Sequence, residues 1–279
     1  MKWTIAFDAG CDMRNFAPIE TAELVLVPLK ILLGSQEVVD DGSTSLADFQ
    51  TMLDETRGKT GTACPSVGDW QHIMERSETT IAITLSGAVS GSYQSACIAR
   101  DLVLEEAPEK QIFVMNSVSG SGTMEFLVRE AVERIQAGDS FDQVCQALQD
   151  CRGQSEIFFL LQNVDNLMSN GRLNPLVGRA VKALRLCLLS TVSPTGTMEV
   201  IAKVRGFEKA MDKSLLECDA RSCTPRRGII SHCLNPQGAQ QMRDKLLEKF
   251  PNACIEIRET GPLCGYYAEK GGLIVALQR

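Results

Sequence analysis

The chain has 279 residues, room for one large or two ordinary domains, and its 44% hydrophobic and 23% charged content is that of a folded protein. A formal charge of −7, with 28 basic against 35 acidic residues, argues against nucleic acid or an anionic membrane as the main partner. Apolar runs such as Ile157 to Leu161 are strand-sized, far short of the ~20 residues of a spanning helix, and Asp8 comes too early for a secretory signal. The expected location is therefore the cytoplasm, without membrane insertion. Eleven cysteines are scattered with no Cys-x-x-Cys pair, which reads as reduced, mostly buried thiols rather than a disulfide or zinc framework.

Trp3 to Asp8 reads as a first buried strand. Leu24 to Leu33 is extended, with Pro28 at an edge or bulge, and Val38-Val39 after Gly34-Ser35 completes a hairpin-like segment. Ser45 caps a helix bearing Leu46, Phe49, Met52 and Leu53, and Gly58 ends it. Thr60 to Ser66 reads as a hydroxyl-rich loop, with Ser66 capping a short helix that turns Val67, Trp70 and Met74 inward.

Next comes a phrase used twice, Val89-Ser90-Gly91-Ser92 and Val118-Ser119-Gly120-Ser121. Each copy follows a short apolar run (Ile81 to Leu85, Ile112 to Met115) and precedes a helical pattern. The second of these helices carries Met124, Leu127, Val128, Ala131 and Ile135 as one apolar stripe and stops at Gly138. Two such units predict adjacent parallel strands whose turns share one sheet edge, the edge where open α/β sheets bind ligands. Ser140 and Gln143 form a capping-box pattern for the next helix.

Near Cys151-Arg152-Gly153 the alternation stops. A strand (Ile157 to Leu161), a short helix ending near Gly171, and a helix from Pro175 to about Leu186 follow. A hairpin then runs Cys187 to Val192 and Met198 to Val204 about Ser193-Pro194-Thr195-Gly196. Strands at Gly228 to Ser231, Cys254 to Ile257 and Leu273 to Leu277 accompany a helix from Gly238 to Lys249. The expected architecture is an N-terminal, mostly parallel α/β domain over 1–153 and a C-terminal α+β domain over 154–279, with a ligand between them.

Thr62, Ser86, Ser90, Ser92, Ser119 and Ser121 fall in predicted loops beside strand ends and helix starts. With backbone N–H groups they make a receptor for a carboxylate or phosphate, since hydroxyls donate without adding charge. The same residues also suit ordinary caps and turns. A serine hydrolase using Ser90 has His72 or His232 as its base, but lacks a Gly-x-Ser-x-Gly elbow. No phosphate loop is present, and Gly120-Ser121-Gly122 is not completed to a dinucleotide fingerprint because Glu125 takes the last position. No spacing points to a metal or other cofactor. Arg172, just after Gly171, suits a phosphate or partner contact, or plain helix-end charge pairing.

The order Thr62-Ala63-Cys64-Pro65-Ser66, then Leu85-Ser86-Gly87-Ala88-Val89-Ser90-Gly91-Ser92-Tyr93-Gln94-Ser95-Ala96, resembles the DegV family of bacterial fatty-acid-binding proteins. Val27-Pro28-Leu29, Asn116-Ser117, Asn170-Gly171-Arg172-Leu173 and Gly261-Pro262 extend the resemblance over nearly the whole chain. It implies a non-catalytic, two-domain protein enclosing one long-chain fatty acid, and a monomer is expected. The carboxylate would meet Thr62 and Ser90, with Ser86, Gly87 and Gly91 lining the same pocket. Ser92 and Ser119, from the hydroxyl set, are expected there too. The resemblance also implies a separate fatty acid kinase that makes an acyl phosphate, with Arg172 exposed toward the kinase or the phosphate. Ala63, Cys64 and Asn116 depart from the family pattern, and Tyr267 stands in a loop where many members carry a histidine. The competing expectations are a small esterase using Ser90 with His232, and a lipid-filled regulatory module without a kinase.

Overall fold

A computed structural model describes residues 3–14, 16 and 18–279. The first half runs β1 (Trp3–Asp8), β2 (Ala22–Val27), β3 (Lys30–Leu33), β4 (Gln36–Val39), α1 (Leu46–Glu55), β5 (Thr60–Ala63), α2 (Val67–Glu75), β6 (Thr79–Thr84), α3 (Ser92–Glu106), β7 (Gln111–Asn116), α4 (Gly122–Ala137) and α5 (Phe141–Gly153). The second half runs β8 (Ser155–Leu161), α6 (Asp165–Ser169), α7 (Pro175–Ala183), β9 (Cys187–Val192), β10 (Met198–Val204), α8 (Phe207–Ala220), β11 (Arg227–His232), α9 (Pro236–Lys249), β12 (Cys254–Glu259), α10 (Pro262–Ala268) and β13 (Leu273–Gln278).

Among the described residues three sheets form. One is wholly parallel, in the order β2-β1-β6-β7. A six-stranded mixed sheet has the order β10-β9-β8-β13-β11-β12, and its only parallel pair is β11 with β12. The third is a small antiparallel sheet, β4-β3-β5. Strand β6 is buried along its whole length, as a central parallel strand covered on both faces must be. Register pairs Thr84 with Asn116, so the turns after β6 and β7 leave the same edge side by side.

The expected loop at Thr60 to Ala63 is instead strand β5, which places Thr62 opposite Ile31. With glycine and two hydroxyls in four residues it lacks apolar alternation, and its strand character comes from pairing with the alternating β3. Pro28 marks the place where the chain passes from the parallel sheet (β2) to the small one (β3). Helices α8 and α10 are additions to the sequence reading. The first carried a readable stripe, Ala210, Met211, Ser214 and Cys218. The second is buried at every residue but Tyr267, so it has no polar face to generate a period.

Helix α4 departs from the one-stripe expectation: Gly122 to Val128 are all buried. It lies between the parallel sheet (Ile5, Phe7, Ile81, Ile83) and the mixed sheet (Ile229, Ala276). A Cβ at Gly122 would stand 2.8 Å from Ala276 Cβ and 2.9 Å from Ile229 Cβ, so only glycine permits that approach. Glu125, on the same helix, is bracketed by Arg129 and Arg258, each at 2.6 Å. The small sheet packs its Ile31, Leu33 and Val38 with Ile157, Leu161 and Tyr266 of the second half. Strand order thus divides at Gly153–Ser155, while the apolar cores run across that division. The eleven cysteines are free thiols, seven of them buried.

Candidate functional site

Between the three sheets lies a cavity of about 350 Å³. Its apolar wall comes chiefly from Leu29, Phe159, Leu161, Val192, Met198 and Ile274. Its polar wall comes from Thr62 on β5, Ser86, Ser90 and Gly91 in the turn after β6, and Ser119 and Ser121 in the turn after β7. Arg172 and Tyr267 complete it.

The duplicated turns bring their serines to one wall through backbone bonds. Ser86 N–H donates to Ser119 O at 2.9 Å, and Ser90 N–H to Ser86 O at 3.1 Å. Asn116 orders both turns, because its Oδ1 accepts from Gly87 N–H at 3.2 Å and Val118 N–H at 3.0 Å. Ser90 Oγ accepts from Ser92 N–H at 3.3 Å, and Ser119 Oγ accepts from Thr123 Oγ1 at 2.8 Å. Among the described residues no acceptor takes the hydroxyl proton of either serine. Thr62 Oγ1 and the Tyr267 hydroxyl share one bond at 2.8 Å, so one proton of that pair is also left over. The wall therefore offers spare O–H donors from Ser90, Ser119 and the Thr62–Tyr267 pair to a ligand that only accepts, such as a carboxylate.

Tyr267 projects from α10 rather than from the loop expected of it. Burial pushes its phenol above the usual value, against the hydrogen bond from Thr62 and the charge of Arg172, so it is neutral at ordinary pH. Tyr266 beside it holds the helix in place. Its hydroxyl bonds Thr60 Oγ1 at 2.7 Å and accepts from Asn170 Nδ2 at 2.8 Å. Arg172, expected on the surface, is half-buried: Nε donates to Val89 O at 3.2 Å and Nη1 to Asn170 O. Those bonds fold the guanidinium over the Ser90 turn instead of leaving it extended in solvent.

Two expected pocket residues stand off the cavity wall. Gly87 is exposed on the outer side of its turn. Ser92 is fully buried and donates to Asp8 Oδ2 at 2.5 Å, a demand no sequence pattern announced. Ser86 lines the cavity, but its hydroxyl is spent on Gly196 O at 2.9 Å. Gly196 lies at the tip of the β9–β10 hairpin with φ +86°, and a Cβ there would fall 2.2 Å from Ser86 Oγ. That close approach closes the hairpin over the polar wall.

The Ser90–His232 pairing that a hydrolase needs is not formed. No histidine lines the cavity among the described residues. His232 sits at the end of β11, its Nδ1 accepts from Asn235 N–H at 3.4 Å, and burial lowers its pKa. Among the described residues no helix is long and apolar enough to cross a membrane, and no group of three or more His, Cys, Asp or Glu is placed to hold a metal.

Behind the hydroxyl wall is a layer of buried carboxylates. Asp8 Oδ2 accepts from Leu85 N–H at 2.9 Å and Asp8 Oδ1 from Gly10 N–H at 2.9 Å. Asp12 takes Ser121 Oγ at 2.5 Å and Gly261 N–H at 2.8 Å. Asp40 takes Leu263 N–H at 2.9 Å and a two-pronged contact from Arg14 Nη2 at 2.9 and 3.0 Å. The N-terminus of α10 thus rests on two carboxylates from the first half of the chain.

The model of the DegV family matches residues 2–278. A DegV domain-containing protein of Streptococcus pneumoniae is 33% identical over 279 residues, covering 100% of this chain and 99% of that protein. Solved structures agree. The Streptococcus pneumoniae fatty acid kinase (Fak) B3 protein, loaded with linoleic acid, superposes with a TM-score of 0.95 at 33% identity, over 100% of this chain and 99% of its own. A DegV protein of Eubacterium eligens loaded with heptadecanoic acid gives 0.92 at 27% identity, over 99% of each chain. One from Ruminococcus gnavus, refined with vaccenic acid, gives 0.86 at 28% identity, over 99% of each chain. In composition of sheets, order of motifs and full-length similarity, the chain belongs to the DegV family.

Proposed function

We propose that this protein binds one long-chain fatty acid, its carboxylate against Thr62, Ser90 and Ser119 and its tail against the apolar wall, and presents it to a fatty acid kinase. The observation that carries the reading is the cavity itself, apolar except for one wall that holds Arg172, Tyr267 and several hydroxyls, some with unspent protons. Burying a C16 tail at ~0.8 kcal/mol per CH₂ is worth on the order of 10 kcal/mol before ordering costs. The tail supplies affinity and the hydroxyls choose which end they meet. Neutral donors hold a carboxylate without quenching it as an ion pair would, which suits an oxygen that has to accept a phosphoryl group. Arg172 and Tyr267, both at the polar wall, are the residues we assign to the kinase or to the new phosphate.

The fatty acids named for the related structures support the ligand class, and the kinase in the name of the Streptococcus pneumoniae relative supports the partner. Native mass spectrometry of the purified protein, followed by lipid extraction, tests the binding. A single co-purified fatty acid is the expected result. A protein that arrives empty and ignores added fatty acid overturns the reading.

A further inference from the structure

The two Ser–Gly–Ser turns repeat one arrangement. In each, the first serine (Ser90, Ser119) lines the cavity, and the second (Ser92, Ser121) donates its hydroxyl to a buried carboxylate at 2.5 Å. The acceptors, Asp8 and Asp12, are 0% and 3% exposed; Asp8 is the last residue of β1 and Asp12 lies four residues further on, outside the strand. Neither lines the cavity. Each takes a second bond from backbone that frames the site: Leu85 N–H for Asp8, and Gly261 N–H, at the start of the helix bearing Tyr267, for Asp12.

We propose that Asp8 and Asp12 are positioning residues of the head-group site, each locking one Ser–Gly–Ser turn so that its first serine presents its hydroxyl to the ligand. The inference rests on the fatty-acid reading above.

The chain of contacts is short on both sides. Asp8 holds Ser92, and the Ser92 N–H in turn donates to Ser90 Oγ, so the Ser90 oxygen is occupied from one direction and its proton is turned to another. Asp12 holds Ser121 at φ +53°, a conformation that residues other than glycine rarely adopt. The Ser121 N–H is tied as well, to Gly10 O at 2.6 Å. Fixed at that residue, the chain turns Gly120 and Ser119 back to the wall, where Ser119 O takes the Ser86 N–H. Charge-assisted bonds to a carboxylate are stronger than bonds between neutral groups, which suits an anchor that has to hold a strained turn.

The test is to titrate palmitic acid and 1-hexadecanol into the full chain and into Ser92→Ala, Ser121→Ala, Asp8→Asn and Asp12→Asn. The alcohol shares the tail but not the charge. The expected result is about tenfold weaker binding of the acid by each variant, the worth of roughly one hydrogen bond, with the alcohol changed less than about twofold. In a Ser90→Ala background, Ser92→Ala should add almost nothing, because its effect runs through Ser90. Equal losses for acid and alcohol, or no loss for either, overturn the proposal. Should the aspartate variants fail to fold, the two serine variants decide it alone. Wild-type protein that binds neither ligand overturns the fatty-acid reading itself, and the positioning role with it.

Discussion

The hydroxyl wall and the carboxylate layer behind it are built from the same turns, yet they answer opposite demands. Ser90, Ser119 and the Thr62–Tyr267 pair keep donors unspent, which the folded chain tolerates because they border an open cavity. Two residues further along, Ser92 and Ser121 spend theirs completely, because a carboxylate out of contact with water must have its oxygens filled. One residue type serves as proposed receptor or as strut according to whether a buried carboxylate takes its proton. The difference teaches that damage to the struts should appear in stability as well as in binding, and damage to the receptor in binding alone.

The largest effect should come from the layer. Asp40→Ala strands the Arg14 guanidinium and the Leu263 N–H, and removing one partner of a buried ion pair costs about 3–5 kcal/mol. Urea unfolding measures it; a loss under ~1 kcal/mol would mean that the layer does not support the fold. On the receptor side, Thr62→Ala combined with Ser90→Ala should weaken fatty-acid binding about 100-fold, taking ~1.5 kcal/mol for each bond to a charged group. Its unfolding midpoint should scarcely move, and unchanged lipid occupancy would remove these residues from the site.

Asp8 adds a pH signature. Burial pushes its carboxyl up to about 6, although the bonds from Ser92, Leu85 and Gly10 and the charge of Arg14 pull the other way. Between pH ~4 and ~6 the folded chain therefore keeps a proton that the unfolded chain has released. Stability from this group is full at the acid end and lost as pH rises through about 6, by up to ~3 kcal/mol. Asp8→Asn, which cannot titrate, should gain on wild type over that span, and a pH-independent difference would contradict the assignment. The smallest effect belongs to Tyr267→Phe. Losing one neutral hydrogen bond should weaken binding by about 1 kcal/mol with no new pH dependence near neutrality, because the phenol is already neutral. Isothermal titration from pH 6 to 8 would show it.

Much of the fold was legible. The twin strand–turn–helix units gave the parallel pair β6–β7 and its shared edge, and capping patterns at Ser45, Ser66 and Ser140 marked three helix starts that the structure has in place. Strand β5 was not legible, since Thr60-Gly61-Thr62-Ala63 has no period of its own and borrows order from β3. Helix α10 escaped because a segment buried on all sides shows no amphipathic signal, although Pro262 at its first turn was a usable start mark. Among site residues, loop position alone could not separate Ser90 from Ser92. They belong to the same phrase, and only the burial of Asp8 tells them apart.

What the sequence determined by itself is local: periodicity, caps, the repeated Ser–Gly–Ser phrase and a motif order specific enough to indicate the family. Each of these depends on residues a few positions apart, within reach of the helix and strand repeats. What the tertiary structure decided is everything that needed distant partners. It set which hydroxyls face the cavity, that Thr62 meets Tyr267 205 positions away, and that Arg172 folds over the Ser90 turn. It also drew Asp12 and Asp40 to the start of α10. A buried charge takes whatever donor the fold brings to it, and no spacing along the chain records which donor that will be.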